Sequence, residues 1–424
     1  FDGFRYNAGK FATNKTDNST VVVADGSLVV QVYFDRIPYT LTIDKQEGVT
    51  SVKVNDVEFT TGEFLYGASI KIDVTVSEGY RWGNFAVSGT EPTGFDASAL
   101  SQTVTMGLGN ATLTAQATIR TFTLTIDPAD GLYNGSADLF EVTQNYGSTY
   151  AVLTPTREGY TFTGWSKSAD FHGKLVETDT GYTYTYGVGD DTLTAQWQAR
   201  RYAVNFNLND VNFNNGSTAA TFDVTTNEDV ALKDLINKGV LTLYATYDSD
   251  YSILYTSQTG TDYVEFANLL SVIRDGYDFV KFSSNLDGTD EILSSEMCDT
   301  TTATTVYAIW NAKTYTLTVD KNLEQLDITV LGATPVEETA NQYTVVFDST
   351  VRLTASVYAG YHFSNWTVED EVKSTTETFD YKYETAGDVT IRANVEANQY
   401  TIHYDPNGGE GMIASESVAY GTSV

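Results

Sequence analysis

Cysteine occurs once in the 424 residues, histidine and methionine three times each, and proline six times. A single cysteine, Cys298, excludes an internal disulfide. With only His172, His362 and His403 beside it, there is little material for a Cys/His zinc site. Basic residues are also scarce, 24 against 56 acidic ones for a net charge of −32. That balance argues against nucleic-acid binding, which needs clustered Lys and Arg, and against docking on an anionic membrane surface. No apolar run approaches the roughly 18 residues of a membrane-spanning helix, so no membrane insertion is expected in this segment. No GxSxG elbow, phosphate loop or dinucleotide fingerprint occurs.

The chain is instead rich in aromatics, with 29 Tyr, 21 Phe and 5 Trp. Hydrophobic residues make up 41% of it, enough for packed cores despite the charge. Abundant Thr, Tyr, Val, Asp and Gly mark a mostly-β protein. Length alone suggests about three domains, but a repeat makes that count uninformative.

One strand signature recurs: YTLTID (39–44), FTLTIDP (122–128), YAVNFN (202–207), YTLTVD (315–320) and YTIHYDP (400–406). Apolar and polar residues alternate, then stop at a turn residue, as in a half-buried strand entering a loop. A second signature follows: EGYRWGNF (78–85), EGYTFTGW (158–165), DGYDFVKF (275–282) and AGYHFSNW (359–366). Its glycine predicts a turn, and strand periodicity predicts rings that alternate sides of a small core. A third signature closes each unit: LTAQA (113–117), LTAQW (193–197), VYAIW (306–310) and IRANV (391–395). Turn residues usually precede it, as at Gly109-Asn110, Gly189-Asp190 and Gly387-Asp388.

The expected repeats are therefore 39–121, 122–201, 202–314 and 315–399. The joints between them are too short to act as flexible coils. Residues 1–38 read as the C-terminal half of a repeat, in which FDGF is the tail of the second signature and Asp25-Gly26 turns a hairpin. Residues 400–424 read as the N-terminal half. Two readings of these halves stay open: a stretch of a longer array, or half-repeats that pair head-to-tail between molecules through faces such as Val21, Val23, Val30, Val418 and Tyr420. The third repeat is about 30 residues longer than the rest. Two segments in it have helical periodicity: 227–239, with Val230, Leu232, Leu235 and Ile236 near one face, and 261–276, with Asp262 and Glu265 at capping-box spacing.

TPTREGYTFTGW (154–165) and YTIHYDPNGGEG (400–411) resemble the Listeria–Bacteroides repeat, the internalin B-repeat-like family of Gram-positive surface proteins. The second repeat is similar along almost its whole length. The first and fourth resemble a divergent form without the Asp-Pro-Asn-Gly-Gly turn, and the third departs furthest, with Phe282 in place of the signature Trp. The resemblance implies small β-grasp-like modules, each a mixed sheet curled around a short helix. It also implies a place in long extracellular, cell-wall or filament proteins of bacterial surfaces, as structural or adhesive repeats, and it brings no catalytic residues.

Residue chemistry points the same way. No two histidines share a repeat, and the densest acidic runs, Asp248-Ser249-Asp250 and Glu369-Asp370-Glu371, lack the Gly turn of a calcium loop. Sequons at Asn14, Asn18, Asn110, Asn134, Asn215 and Asn365 are expected to be incidental in a Thr-rich chain. The expectation is therefore a non-enzymatic extracellular protein without catalytic residues, metal or cofactor. Its partners would be its own repeats, head-to-tail copies of itself, or a host surface protein or glycan bound through 202–314.

The short joints also predict an extended rod. A module of ~80 residues measures on the order of 30 Å across, so five in line reach roughly 150 Å. Small-angle scattering should report that length; a radius of gyration near ~25 Å would refute the rod.

Overall fold

The computed structural model describes residues 1–13, 22, 24–209 and 220–424. They are almost entirely β, and they form two compact units, Phe1–Gln198 and Ala199–Val424.

The first unit contains two complete repeats. In the first, a four-stranded sheet runs in the order Thr61–Leu65, Pro38–Lys45, Ala111–Ile119, Tyr80–Gly89. A second sheet, Val57–Glu58, Val49–Val54, Ser69–Val76 and Ser101–Thr105, accompanies it. The second repeat has the same main order: Phe140–Asn145, Thr121–Asp127, Asp191–Ala199, Tyr160–Lys167. Its smaller sheet is Thr149–Val152, Gly181–Thr185 and Lys174–Thr178.

The second unit repeats the plan. The third repeat pairs Val240–Thr246, Arg201–Asn207, Thr304–Ala312 and Tyr277–Ser283, with Ile253–Tyr255 and Tyr263–Glu265 extending one edge. The fourth pairs Gln342–Val346, Thr314–Lys321, Val389–Ala397 and Tyr361–Val368. Leu326–Leu331, Thr350–Val357 and Thr378–Lys382 form its second sheet.

At the centre of every repeat, the opening strand lies parallel to the closing strand in one fixed register. Leu41 faces Ala111, Leu124 faces Asp191, Val204 faces Thr304 and Leu317 faces Val389. The alternating apolar residues of the opening strand account for this. Leu41 and Ile43, Leu124 and Ile126, Val204 and Phe206, and Leu317 and Val319 all point to the buried face, while the intervening residues point outward. A one-residue slip would expose the whole row, so burial at about 25 cal/mol per Å² of apolar surface fixes the register.

A side-chain clamp reinforces it in three repeats. The Asn110 carboxamide oxygen accepts the Thr40 N–H at 2.8 Å, the Asp190 carboxylate that of Thr123 at 2.7 Å, and the Asp388 carboxylate that of Thr316 at 2.8 Å. These are the turn residues that precede the third signature, so they do more than turn the chain.

The second signature corrects the simple strand reading. Strict alternation would place its fifth and eighth residues on opposite faces. In the first, third and fourth repeats a β-bulge leaves one residue unpaired: Gly83, Val280 and Ser364. The extra residue restores both rings to the core face. Trp82 and Phe85 meet at 5.1 Å, Phe279 and Phe282 at 4.9 Å, and Phe363 and Trp366 at 5.5 Å. Phe162 and Trp165 of the second repeat do the same at 5.2 Å.

The expected helices are mostly absent. Among the described residues, 38–199 and 314–402 contain none, so the helix of a β-grasp has no counterpart there. In the third repeat the helical segments shrink to single turns, Leu232–Leu235 and Phe266–Leu269. Asp262 does not cap; its carboxylate accepts the Thr256 hydroxyl and the Glu228 N–H, and Tyr263–Glu265 pairs as a strand. Leu232, Phe266, Leu269 and Val272 instead drop singly into the core of the main sheet.

Two further ribbons complete the description. Phe4–Thr13 pairs antiparallel with Val30–Arg36, and Gln399–Ile402 with Glu416–Ala419. In the segment that links its strands the chain turns at Ala24-Asp25, Gly26 has φ +67°, and the Asp25 carboxylate accepts the Ser27 N–H at 3.1 Å. Val21 and Val23 lie outside the described residues.

If the bulge places the ring, deleting Ser364 should turn Trp366 toward solvent and destabilise the fourth repeat by ~3–5 kcal/mol. Ser364→Ala should stay within about 0.5 kcal/mol. Denaturant unfolding followed by Trp fluorescence distinguishes them; equal midpoints would show that the bulge is not what positions the ring.

Candidate functional site: the joint between repeats

The most recurrent local geometry lies where one repeat passes into the next. Gly79, in the second signature, has φ +79°, a left-handed conformation open to glycine. Its carbonyl accepts the Arg120 N–H at 2.9 Å, and the Arg120 carbonyl accepts the Tyr146 N–H at 2.9 Å. The Tyr146 ring then lies flat against the Gly79 Cα, in the space a Cβ would occupy. Glycine is required here twice, for its backbone angle and for the ring.

The same relay occurs three more times. Gly3, Ile37 and Tyr66 form it at 2.9 and 2.8 Å, Gly276, Lys313 and Phe347 at 2.9 and 2.8 Å, and Gly360, Asn398 and Tyr420 at 2.8 and 2.8 Å. Each of these rings also covers its glycine. The ring after the glycine adds an edge contact: Phe4 to Tyr66 at 5.7 Å, Tyr277 to Phe347 at 5.3 Å, Tyr361 to Tyr420 at 5.7 Å. Aromatic pairs of this kind contribute about 0.5–1.5 kcal/mol beyond burial. FDGF is thereby corrected: Gly3 is the turn glycine that begins the second signature, the equivalent of Gly79, and not the tail of that signature.

The remaining polar residues are engaged in local structure. Asp191 is buried, and its carboxylate accepts the His172 N–H at 2.8 Å, the Gly173 N–H at 2.7 Å and the Tyr184 hydroxyl at 2.6 Å. The His172 ring Nδ1 lies 3.3 Å away. Burial first, then the bond to Asp191, pushes the Tyr184 hydroxyl well above its ordinary range. The cluster pins the 171–173 loop to the closing strand, and no spacing rule would have joined residues 172, 184 and 191. His362 is exposed with Nδ1 2.9 Å from Asn398, and His403 sits 2.7 Å from Ser415. The three histidines are not brought together. Cys298 is buried, and burial pushes its thiol up, away from thiolate chemistry.

The acidic runs are split among separate tasks. Asp250 accepts the Ser252 N–H at 3.1 Å, Glu369 accepts the Thr390 N–H at 2.9 Å, and Glu371 pairs with Lys373 at 2.7 Å. Among the described residues no group of three or more His, Cys, Asp or Glu is placed to hold a metal ion. The sequon Asn110 is occupied by its clamp, whereas Asn14, Asn18 and Asn215 lie outside the described residues.

A double-mutant cycle tests the joint. Gly79→Ala should destabilise the chain by about 1–3 kcal/mol through backbone strain and collision with Tyr146. In a Tyr146→Ala background the collision is gone, and the cost should fall by about 1 kcal/mol. Additive costs would show that ring and glycine are not coupled.

Comparison with known proteins agrees with the repeated geometry. Residues 122–196 match the Listeria-Bacteroides repeat domain, and residues 328–399 match the divergent InlB B-repeat domain. A protein of Evansella cellulosilytica described as a Gly-rich membrane protein is 27% identical over 360 residues, covering 77% of this chain and 39% of that protein. The chain thus spans well under half the length of this relative. Among solved structures, the Bacillus anthracis TIE protein aligns over 87% of this chain and 70% of its own at 12% identity and a TM-score of 0.32. The pilus adhesin SpaC of Lactobacillus rhamnosus GG aligns over 89% and 46% at 12% identity and a TM-score of 0.14. Neither score is high enough to bear on the fold. Residues 122–196 and 328–399 are thus repeats of the Listeria–Bacteroides, internalin B-repeat-like, family.

Proposed function

We propose that this chain is a non-catalytic structural segment of a bacterial surface protein, exposed outside the cell, in which the repeats serve as spacers. The observation that carries this reading is the joint. A spacer must resist bending and pulling between modules as well as within them. Here the glycine–aromatic relay ties adjacent repeats by two backbone hydrogen bonds and one packed ring at 79–146 and again at 276–347. Membership of the repeat family and the surface-protein character of such repeats support the setting.

A second reading, adhesion through the third repeat, has one observation in its favour. Leu270, Ile273, Leu286, Leu293 and Met297 are large apolar side chains exposed within a short stretch of 202–314. Clustered exposed apolar residues are characteristic of interaction surfaces.

The two readings part in a binding experiment with the full chain. On arrays of glycans and host matrix proteins the spacer reading expects no saturable binding. Saturable binding that Leu286→Ser with Leu293→Ser reduces at least tenfold would overturn it in favour of adhesion.

A further inference from the structure

In each complete repeat the chain enters on the opening strand and leaves on the closing strand, and these two lie side by side and parallel. Pro38, Thr121, Arg201 and Thr314 each stand three positions before the residue that starts the parallel register, Leu41, Leu124, Val204 and Leu317. Ile119, Ala199, Ala312 and Ala397 stand eight positions after its partners, Ala111, Asp191, Thr304 and Val389. Entry and exit are therefore eleven strand positions apart in all four repeats. That is about 36 Å along the strand axis at ~3.3 Å per residue, against only ~4.8 Å across it. Tension along the chain thus drives the two central strands past each other along their length. The hydrogen bonds between them are evenly spaced, so they are loaded together and do not open one after another.

The loaded contact differs among the repeats. The Asn110, Asp190 and Asp388 side chains bridge the same two strands, so they share the load with the backbone. Each sits one residue before the closing-strand residue that starts the register, and each binds the N–H one residue before that residue's partner. In the third repeat that place is taken by Ala303, before Thr304, and the facing position by Ala203, before Val204. A methyl group accepts no hydrogen bond, so this repeat meets shear without the side-chain bridge. Its large core does not compensate, because forced unfolding follows the barrier to rupture and not total stability. The third repeat also encloses the most chain between entry and exit, 201–312 against 38–119, 121–199 and 314–397. Extended at about 3.5 Å per residue, it would lengthen the chain by about 350 Å, and the others by about 240–260 Å each.

We infer that these repeats bear tension along the chain, that the parallel opening–closing pair is the contact that carries it, and that the third repeat yields first, lengthening the chain while the other three hold. The inference rests on the geometry within each repeat and not on the spacer reading, so ligand binding on the arrays would leave it standing.

The test is single-molecule stretching of the full chain, held by its two ends. Among the repeat-length steps, the one of about 350 Å should come first and at the lowest force, followed by three of about 240–260 Å. Ala303 is exposed, so Ala303→Asn has room to supply the bridge that Asn110 makes in the first repeat. In that variant the long step should rise to the force of the other three and no longer lead. Asp388→Ala should lower one of the short steps to the force of the long one. A long step that follows the short ones in the intact chain overturns the proposal. So does a long step that still leads at unchanged force in Ala303→Asn, or three short steps that Asp388→Ala leaves unmoved. A circular-dichroism spectrum matching that of the intact chain shows that each variant retains its fold, and the Ala303→Asn readout is a gain of strength, which misfolding does not produce.

Discussion

The glycine–aromatic relay constrains everything else in this chain. A repeat that begins and ends on strands has its last closing-strand residue immediately before the next opening strand, as Ile119 and Thr121 flank Arg120. With no linker to absorb error, the backbone groups of that single residue must be satisfied on both sides. Its N–H goes back to the glycine of its own repeat, and its carbonyl goes forward to an aromatic of the next. Buried or half-buried backbone groups left without partners would cost about 1–3 kcal/mol each. The ring excludes water from the pair of bonds, and only glycine leaves it room. Sequence freedom at the joint residue follows, because the relay uses only its main chain: Ile37, Arg120, Lys313 and Asn398 serve equally.

Within the repeats, one main sheet recurs while what covers it changes. In the first, second and fourth, a second small sheet accompanies the main one and supplies core residues such as Val52 and Ile72, Val152 and Tyr184, or Leu326 and Leu353. The third has no such sheet among its described residues. Its longer chain inserts Leu232, Phe266, Leu269 and Val272 in its place. The inserted segment is then an alternative cover for a conserved surface, which explains why its helical periodicity ends in isolated turns. The cover need only present apolar side chains at a few points, and a single helical turn does so without continuing.

Much of this was legible in the sequence, and the failures have physical causes. The opening strands read correctly because one face is buried and the other wet, the condition under which period-two alternation appears. The bulge was not legible from that periodicity, because one unpaired residue shifts the phase and the rule has no term for it. The Asp190 and Asp388 clamps were visible as turn residues, but their hydrogen bonds reach 67 and 72 residues back to Thr123 and Thr316. The relay was half visible. Gly79 and its counterparts stood out as turn formers, whereas their need for space against Tyr146, Tyr66, Phe347 and Tyr420 depends on a ring contributed by the next segment of chain. The Asp191 cluster left no local signal at all.

Four of the five tryptophans show which part of the signature is selected for volume and which for polarity. Trp197 and Trp310, on closing strands, donate their indole N–H to the Pro128 and Leu208 carbonyls at 3.0 and 2.8 Å, tying down the loop that leaves the opening strand. In the fourth repeat Val395 stands at that position, and Asn322 takes over, donating to the Val395 carbonyl at 3.0 Å and accepting its N–H at 2.9 Å. Polarity is conserved there while the residue is not. Trp165 and Trp366, at the last position of the second signature, behave in the opposite way. Their indole N–H groups are buried without a partner, and the first and third repeats carry Phe85 and Phe282 in the same place. An unpaired donor opposes burial, so indole is retained there for the area of its rings and in spite of its nitrogen. The second signature is a statement about packing volume at a bulged strand, and the closing strand carries the hydrogen bond that fixes the loop.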